Sequence, residues 1–123
     1  MPRTPPARPD DRARLQLCLA ASALEFGADG LDLHTPGARG PVHDFARQVA
    51  MRLAHTAFGM SYARIAQLVQ RHASTVSHGC RVVERECENP VFAERIDRLE
   101  AGLQWLTHDH ARSLLSGSTG GLQ

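Results

Sequence analysis

The segment QRHASTVSHGCR, residues 70–81, concentrates side chains that can do chemistry in a chain of 123 residues. It holds histidine, serine, threonine, cysteine and arginine side chains. Three kinds of site use such residue types: a nucleophile with a histidine base, a zinc site, and a helix that contacts DNA. The spacing of these side chains along a helix distinguishes between the three.

A helix from about Ala73 to Cys87 would separate this segment into two opposite faces, since successive residues are rotated by about 100°. Apolar side chains fall on the first face, which is predicted to pack against the core: Val76, Cys80, Val83 and Cys87. Polar and cationic side chains fall on the second face, which is predicted to be exposed: Ser74, His78, Arg81 and Arg85.

This separation argues against catalysis and against metal binding. Ser74 and His78 are one helical turn apart, but no carboxylate in the same stretch could orient the imidazole. Cys80 is predicted to face the core while His78 faces away, so the two cannot bind one zinc ion. The later pair His108 and His110 is more typical of a solvated chain end. We therefore predict a protein that is not an enzyme and that binds no metal or other cofactor.

The remaining sequence predicts an all-α fold, a small bundle of about five helices. Residues 1–14 are rich in Pro and Arg and are predicted to form a flexible arm; residues 15–110 are predicted to form the domain, and 111–123 a flexible tail. The first helix is apolar nearly all round, which predicts that it is mostly buried. A short helix capped by Ser61, followed by a short turn, precedes the helix at Ala73. This is the arrangement of a helix-turn-helix, whose second helix contacts bases in the major groove.

Composition and charge favour a polyanionic partner. All 14 basic residues are arginine, which excludes the lysine of a P-loop and that of a Schiff base, so no nucleotide partner is expected. Residues 39–85 carry a surplus of five positive charges, whereas residues 86–112 carry a surplus of three negative charges. No apolar run approaches the ~20 residues of a membrane span, and the N-terminus lacks the apolar core of a secretion signal. We expect a cytoplasmic, nucleoid-associated protein without membrane contact.

The stretch ARQVAMRLAHTAFGMSYARIAQLVQRHASTVSHGCRVVE resembles the C-terminal DNA-binding domain, domain IV, of the bacterial chromosomal replication initiator DnaA. That family combines an Arg-Gln-hydrophobic-Ala-Met helix start, a Ser-initiated helix, and a Thr-Thr-Val run that leads to His, a small residue, Cys and Arg. The counterparts are Arg47, Gln48, Ala50, Met51, Ser61, Ile65, Ser74, Thr75, Val76, His78, Gly79, Cys80, Arg81 and Glu84. The resemblance spans roughly residues 15–106 and does not extend to an ATPase module, so we expect a stand-alone DNA-binding protein.

The resemblance implies sequence-specific binding of double-stranded DNA at a DnaA-box-like or diverged site, and a regulatory role in transcription or replication. It implies that the recognition helix enters the major groove and that an arginine from the preceding loop enters the minor groove. The predicted major-groove residues are Arg71, His72, Ala73, Ser74, Thr75 and His78. The residues predicted to contact phosphates or the minor groove are Arg39, Arg47, Gln48, Ser61, Arg81 and Arg85.

The sequence departs from the family where bases are contacted. The family usually has Gly-Gly-Arg-Asp-His before its Thr-Thr pair, and the last two of these positions are here His72 and Ala73. An altered target is therefore expected. The alternative is a helical protein-interaction module that kept the fold and lost DNA binding, with the acidic, Leu-rich residues 86–110 and an exposed Trp105 as its surface. A homodimer or a protein partner could also use the first or last helix.

Overall fold

The computed structural model describes residues 10–33 and 40–107 of the chain. These residues form five α-helices and no strand, which confirms the predicted all-α fold. The helices are α1 (Asp11–Phe26), α2 (Pro41–Phe58), α3 (Tyr62–Val69), α4 (Ala73–Glu86) and α5 (Pro90–Thr107). Within this part of the chain no helix combines the length and the apolar composition that crossing a membrane requires.

Capping interactions begin two of the helices, α3 at the Ser61 position predicted from the sequence and α5 at Asn89. The Ser61 hydroxyl accepts a hydrogen bond from the Arg64 backbone N–H at 3.0 Å, which satisfies a donor in the first turn of α3. The Asn89 side chain accepts from the Val91 backbone N–H at 2.9 Å at the start of α5. Pro90 is the first residue of that helix, where its missing N–H costs nothing.

The core is built around α2, which packs against each of the other four helices. Its buried residues include Val49 and Leu53, both fully inaccessible to solvent. Three aromatic rings pack where the end of α1 meets the beginnings of α2 and α5: Phe26, Phe45 and Phe92, with centroids 5.5 to 6.1 Å apart. Because α2 contacts every other helix, its own side chains set the positions of α3 and α4.

The structure corrects two expectations about the first helix. It begins at Asp11 rather than at Leu15, so residues 11–14 are helical rather than part of an arm. The Asp11 carboxylate accepts from Nε of Arg64 in α3 at 3.2 Å, an ion pair that apolar periodicity does not detect. The helix is also not mostly buried, since Leu24 is 87% exposed and Leu17 is 38% exposed.

The turn between α3 and α4 contains a residue in the left-handed region. Gln70 has φ 58°, and among the described residues it is the only one other than glycine with a positive φ. The backbone N–H groups of Gln70 and Arg71 both donate to the Ala66 carbonyl, which closes the end of α3. A left-handed conformation costs an L-residue about 1–2 kcal/mol relative to glycine. The turn therefore sets the direction of α4, and its conformation lowers the stability of the fold.

Gln70→Gly should raise the free energy of unfolding by up to about 1 kcal/mol, because the steric cost is removed while some unfolded-state entropy is gained. Urea denaturation followed by circular dichroism measures the change. The matched control is Gln67→Gly, inside α3, which should lower the same quantity by about 1 kcal/mol. A destabilised Gln70→Gly protein would contradict the account of the turn.

Candidate nucleic-acid interface

The structure confirms the two faces predicted for α4, except that Cys87, predicted for the buried face, follows the end of the helix and is only half-buried. Its buried residues are Val76, Gly79, Cys80 and Val83. Its exposed residues include Ala73, Ser74, Thr75, His78, Arg81 and Arg85. The polar and cationic side chains of the recognition helix are thus available to a partner, while the opposite side of the helix belongs to the core.

The buried side of α4 is held closely against α2. A Cβ atom added to Gly79 would lie 3.0 Å from Cγ of Gln48 and 3.0 Å from Cε of Met51, so glycine permits an approach that a larger residue would obstruct. An ion pair between Arg52 of α2 and Glu84 of α4 joins the same two helices. These contacts fix the rotation of α4 and therefore which of its side chains face outward.

The beginning of α4 presents backbone donors to solvent. His72 is the N-cap residue and has an extended backbone, with φ −73° and ψ 147°. Its carbonyl accepts from the Thr75 and Val76 N–H groups, but its side chain makes no capping hydrogen bond. The first N–H groups of the helix are thus without a side-chain cap, which favours an anion such as a phosphate.

An open cleft of about 270 Å³ lies on the surface between the first half of α2 and the first half of α4. Several residues predicted to contact DNA come together there from three separate segments. The lining residues are Asp44, Arg47, Gln48, Met51, Arg71, Thr75 and His78. Sequence reasoning missed Asp44 as a site residue, although its spacing of three and four positions from Arg47 and Gln48 places all three on one face of α2.

Arg47 is largely buried in this cleft rather than extended toward solvent. Its side chain donates to the backbone carbonyl of Asp32 at 3.1 Å, and the residue is 7% exposed. Burial lowers the pKa of Arg47, and the positive charge of Arg71 lowers it further, although the Asp32 and Asp44 carboxylates act in the opposite direction. The structure therefore gives Arg47 a part in anchoring the segment after α1, and its charge adds to that of Arg71 in the cleft.

The other predicted residues lie farther from the cleft. Arg81 donates to the Ser77 hydroxyl at 2.9 Å, one turn earlier on α4. Arg81 and Arg85 line a shallow depression with Glu84 and Glu88 at the end of the helix. Ser61 is exposed and caps α3. Arg39, predicted to enter the minor groove, lies outside the described residues, as do His108 and His110.

Ion pairing distinguishes the arginines of this surface from those elsewhere in the described part of the chain. Five arginines form ion pairs with carboxylates there: Arg14, Arg52, Arg64, Arg95 and Arg98. None of the ion pairs among the described residues uses Arg71, Arg81 or Arg85. Residues 60–83 contain three arginines and no acidic residue. The exposed side of the helix-turn-helix thus keeps a positive charge that a polyanion can neutralise.

The cysteine thiols are poorly suited to nucleophilic chemistry. Cys18 and Cys80 are fully buried, and burial raises the pKa of Cys18 to about 12 and that of Cys80 to about 11. The thiol, rather than the reactive thiolate, is therefore the form present at neutral pH. Within residues 10–33 and 40–107, no group of three His, Cys, Asp or Glu side chains is placed to hold a metal ion.

The family model described as the bacterial dnaA protein helix-turn-helix matches residues 20–83, slightly more than half of the chain. The chain belongs to this family. The match includes all of α2 and α3, the cleft, and α4 as far as Val83. The fold around the cleft is accordingly a DNA-binding helix-turn-helix domain. No curated protein and no solved structure matches the chain.

Alkaline pH should destabilise the fold through the two buried thiols. Their folded pKa values lie above the ordinary value of 9.0, so their contribution to stability is complete below pH 9.0 and is lost as pH rises toward about 11 and 12. Urea denaturation between about pH 8 and about pH 10 measures this loss. The variant with Cys18→Ala and Cys80→Ala should show a shallower decline with pH; an equally steep decline would contradict the assignment.

Arg81→Ala should weaken binding to duplex DNA of any sequence and reduce the slope of log affinity against log salt by about 1, because the phosphate contact predicted for Arg81 would be lost. Fluorescence anisotropy with a labelled duplex over a salt series measures both quantities. Arg98→Ala is the matched control, since it removes one positive charge from α5, where Arg98 pairs with Glu94. Equal losses for the two variants would show that net charge, rather than this face, governs binding.

Proposed function

We propose that the protein binds a specific element of double-stranded DNA and thereby regulates transcription or chromosome replication at the nucleoid. The observation that carries this proposal is the exposed, cationic face of α4 together with Arg71 in the turn before it, since Arg71, Arg81 and Arg85 form none of the ion pairs among the described residues. Membership of the dnaA helix-turn-helix family supports DNA as the partner. The identity of the element and the regulatory role are the proposed parts.

The first turns of α4 would supply the contacts to bases. Ala73, Ser74 and Thr75 are exposed and small, so the helix can approach the floor of the major groove. A methyl group on Ala73 or Thr75 can meet the methyl group of thymine, and the hydroxyls can reach bases or phosphates. Arg71 and His78 border the same surface from the cleft, where an arginine can contact guanine.

Residues around this surface would contact the DNA backbone. Arg81 and Arg85 lie along the exposed side of α4, and Gln48 lies in the cleft beside it. Ser61 lies at the start of α3, where a hydroxyl and a backbone amide can contact a phosphate. Arg39 directly precedes Gly40, the N-cap of α2, and we propose by resemblance to the family that it enters the minor groove.

The preferred element is proposed to differ from the standard DnaA box. His72 and Ala73 occupy the positions at which the family usually has an Asp and a His, and both are exposed at the start of α4. The Asp that could accept from a cytosine amine is replaced by His72, and the His is replaced by Ala73, which can only make an apolar contact. Each good base contact is worth about 1–3 kcal/mol of discrimination, so two changed residues can redirect specificity.

Binding rather than catalysis is proposed for this surface. Ser74 and His78 are exposed on one side of α4, and the stretch contributes no carboxylate to orient the histidine. The Cys80 thiol points into the core, and burial raises its pKa to about 11. The proposal requires no nucleotide, metal or other cofactor, because hydrogen bonds and arginine–phosphate contacts suffice for affinity.

A second candidate is a module that binds another protein through α5. Trp105 is 52% exposed and Leu106 is 59% exposed near the end of that helix. Aromatic residues are enriched at protein interfaces, and an exposed helix face can dock in a groove of a partner. This candidate predicts that duplex DNA is not retained at all.

Selection of bound fragments from a random duplex pool tests the two candidates. The native protein should enrich one motif, and the variant with His72→Asp and Ala73→His should enrich a motif closer to the DnaA box, because it restores the family's residues at the two positions. Trp105→Ala is the control and should enrich the native motif.

Two outcomes would overturn the proposal. Failure to retain any duplex at micromolar protein and low salt, with an unchanged circular dichroism spectrum, would favour the protein-binding candidate. Equal enrichment of all sequences by the native protein would reduce the function to nonspecific DNA binding.

A further inference from the structure

The outer face of α1 carries an apolar stripe that no other described element covers. Ala13, Leu17, Ala20 and Leu24 are all exposed, and Leu24 is exposed to 87%. The residues that α1 buries lie on the opposite side of the helix: Asp11, Leu15, Cys18, Leu19 and Ser22. A leucine exposed to this degree beside a second, partly exposed leucine is a feature that an interface would explain.

The spacing of the stripe is that of a coiled-coil seam. Its members are separated by four, three and four residues, which keeps them on one side of the helix over three turns. If two copies of α1 packed antiparallel about a two-fold axis, the axis would cross the stripe at the level between Cys18 and Leu19. Ala13 would then lie opposite Leu24 of the second copy, and Leu17 opposite Ala20 of the second copy. Each layer pairs a small residue with a large one, so the stripe is complementary to itself.

Charge favours the same direction of packing. Arg12 and Glu25 lie equally far from the centre of the stripe, at its opposite ends. Antiparallel packing brings the end with Arg12 to the level of Glu25 in the second copy. It also aligns the two helix dipoles antiparallel, which is favourable. Parallel packing would instead place Glu25 at the level of Glu25, and Leu24 against Leu24.

A membrane surface fits this helix less well than a second copy. Helices that bind anionic membranes carry a polar face rich in Lys and Arg. The charged residues of α1 are Asp11, Arg12, Arg14 and Glu25, which sum to zero. Asp11 and Glu25 are also held in ion pairs with Arg64 and Arg95 of the same chain.

The position of α1 leaves the DNA-binding surface accessible. α1 packs mainly against α2 and α5, whereas α4 packs mainly against α2 and α3. We propose that α1 forms an antiparallel homodimer through the stripe Ala13, Leu17, Ala20 and Leu24, and that the dimer presents two recognition helices related by a two-fold axis. The dimer does not depend on the proposed function. The consequence for DNA does: such a dimer would bind two half-sites arranged as an inverted repeat.

The dimer should be weak in the absence of DNA. A helix face of three turns would bury less surface than a standard protein–protein interface, which buries about 800 Å² on each partner. Monomer and dimer would therefore exchange at micromolar concentrations, and two adjacent half-sites would strengthen the pairing by raising the effective concentration.

Sedimentation velocity on the full chain without DNA tests the interface, so its outcome is independent of the proposed function. The weight-average mass should rise from 13.4 kDa toward twice that value between about 10 μM and about 500 μM protein. Leu24→Glu should weaken association at least tenfold, and because Leu24 is so exposed the substitution should not disturb folding. Leu106→Glu, at an exposed leucine of α5, is the matched control and should associate like the native protein.

Disulfide trapping tests the direction of packing in a Cys87→Ser background, where the remaining Cys18 and Cys80 are buried. Ala13→Cys and Leu24→Cys variants should cross-link when mixed and not when incubated separately. Cross-linking of each variant with itself would overturn the antiparallel arrangement. A monomer mass at every concentration would overturn the dimer, whether or not the protein shows Leu24-dependent binding to phosphatidylglycerol vesicles. Association that Leu24→Glu leaves unchanged would also overturn it.

Discussion

The close contact between α4 and α2 at Gly79 is the constraint on which the rest of the structure depends. Glycine in the interior of a helix costs about 1 kcal/mol relative to alanine, so its presence in α4 needs a compensating interaction. That interaction is the approach of Gln48 and Met51, each within 3.0 Å of where a Cβ would stand. A larger residue at position 79 would require Gln48 and Met51 to move, or α4 to lie farther from α2.

The same contact couples side chains predicted to contact DNA to the hydrophobic core. Gln48 and Met51 line the cleft on one side and pack near Gly79 on the other. Arg47, on the same face of α2, anchors the segment after α1 through the Asp32 carbonyl. Residues predicted to contact DNA therefore also hold the fold, and substitutions at Arg47 or Gln48 would change both stability and binding. Substitutions at exposed residues such as Arg81 separate the two effects.

Much of this arrangement could be predicted from the sequence because it follows from helical periodicity and from caps. The two faces of α4 follow from the spacing of its apolar and polar residues, and the cap follows from the serine at position 61, directly before α3. The early start of α1 could not be predicted, since it depends on an ion pair between Asp11 and Arg64, which are 53 positions apart. The burial of Arg47 likewise depends on a backbone carbonyl that sequence patterns do not locate.

The exposed stripe of α1 could not be predicted from the sequence either. An apolar helix predicts burial on all faces, but among the described helices α1 packs mainly against α2 and α5. One side of α1 is therefore left to solvent or to a partner, while the arginines of α4 are left without carboxylates. The two surfaces lie on different helices, so self-association and DNA binding can be measured and altered separately.

The most direct test of the central claim is backbone amide chemical-shift mapping by NMR while duplex DNA is added to the native protein. The account predicts shifts concentrated at Arg71 to His78, at Gln48 and at Arg81, with α5 unaffected. Shifts concentrated on α5 around Trp105, with α4 unchanged, would contradict it and would show that the exposed face of α4 is not the surface that contacts DNA.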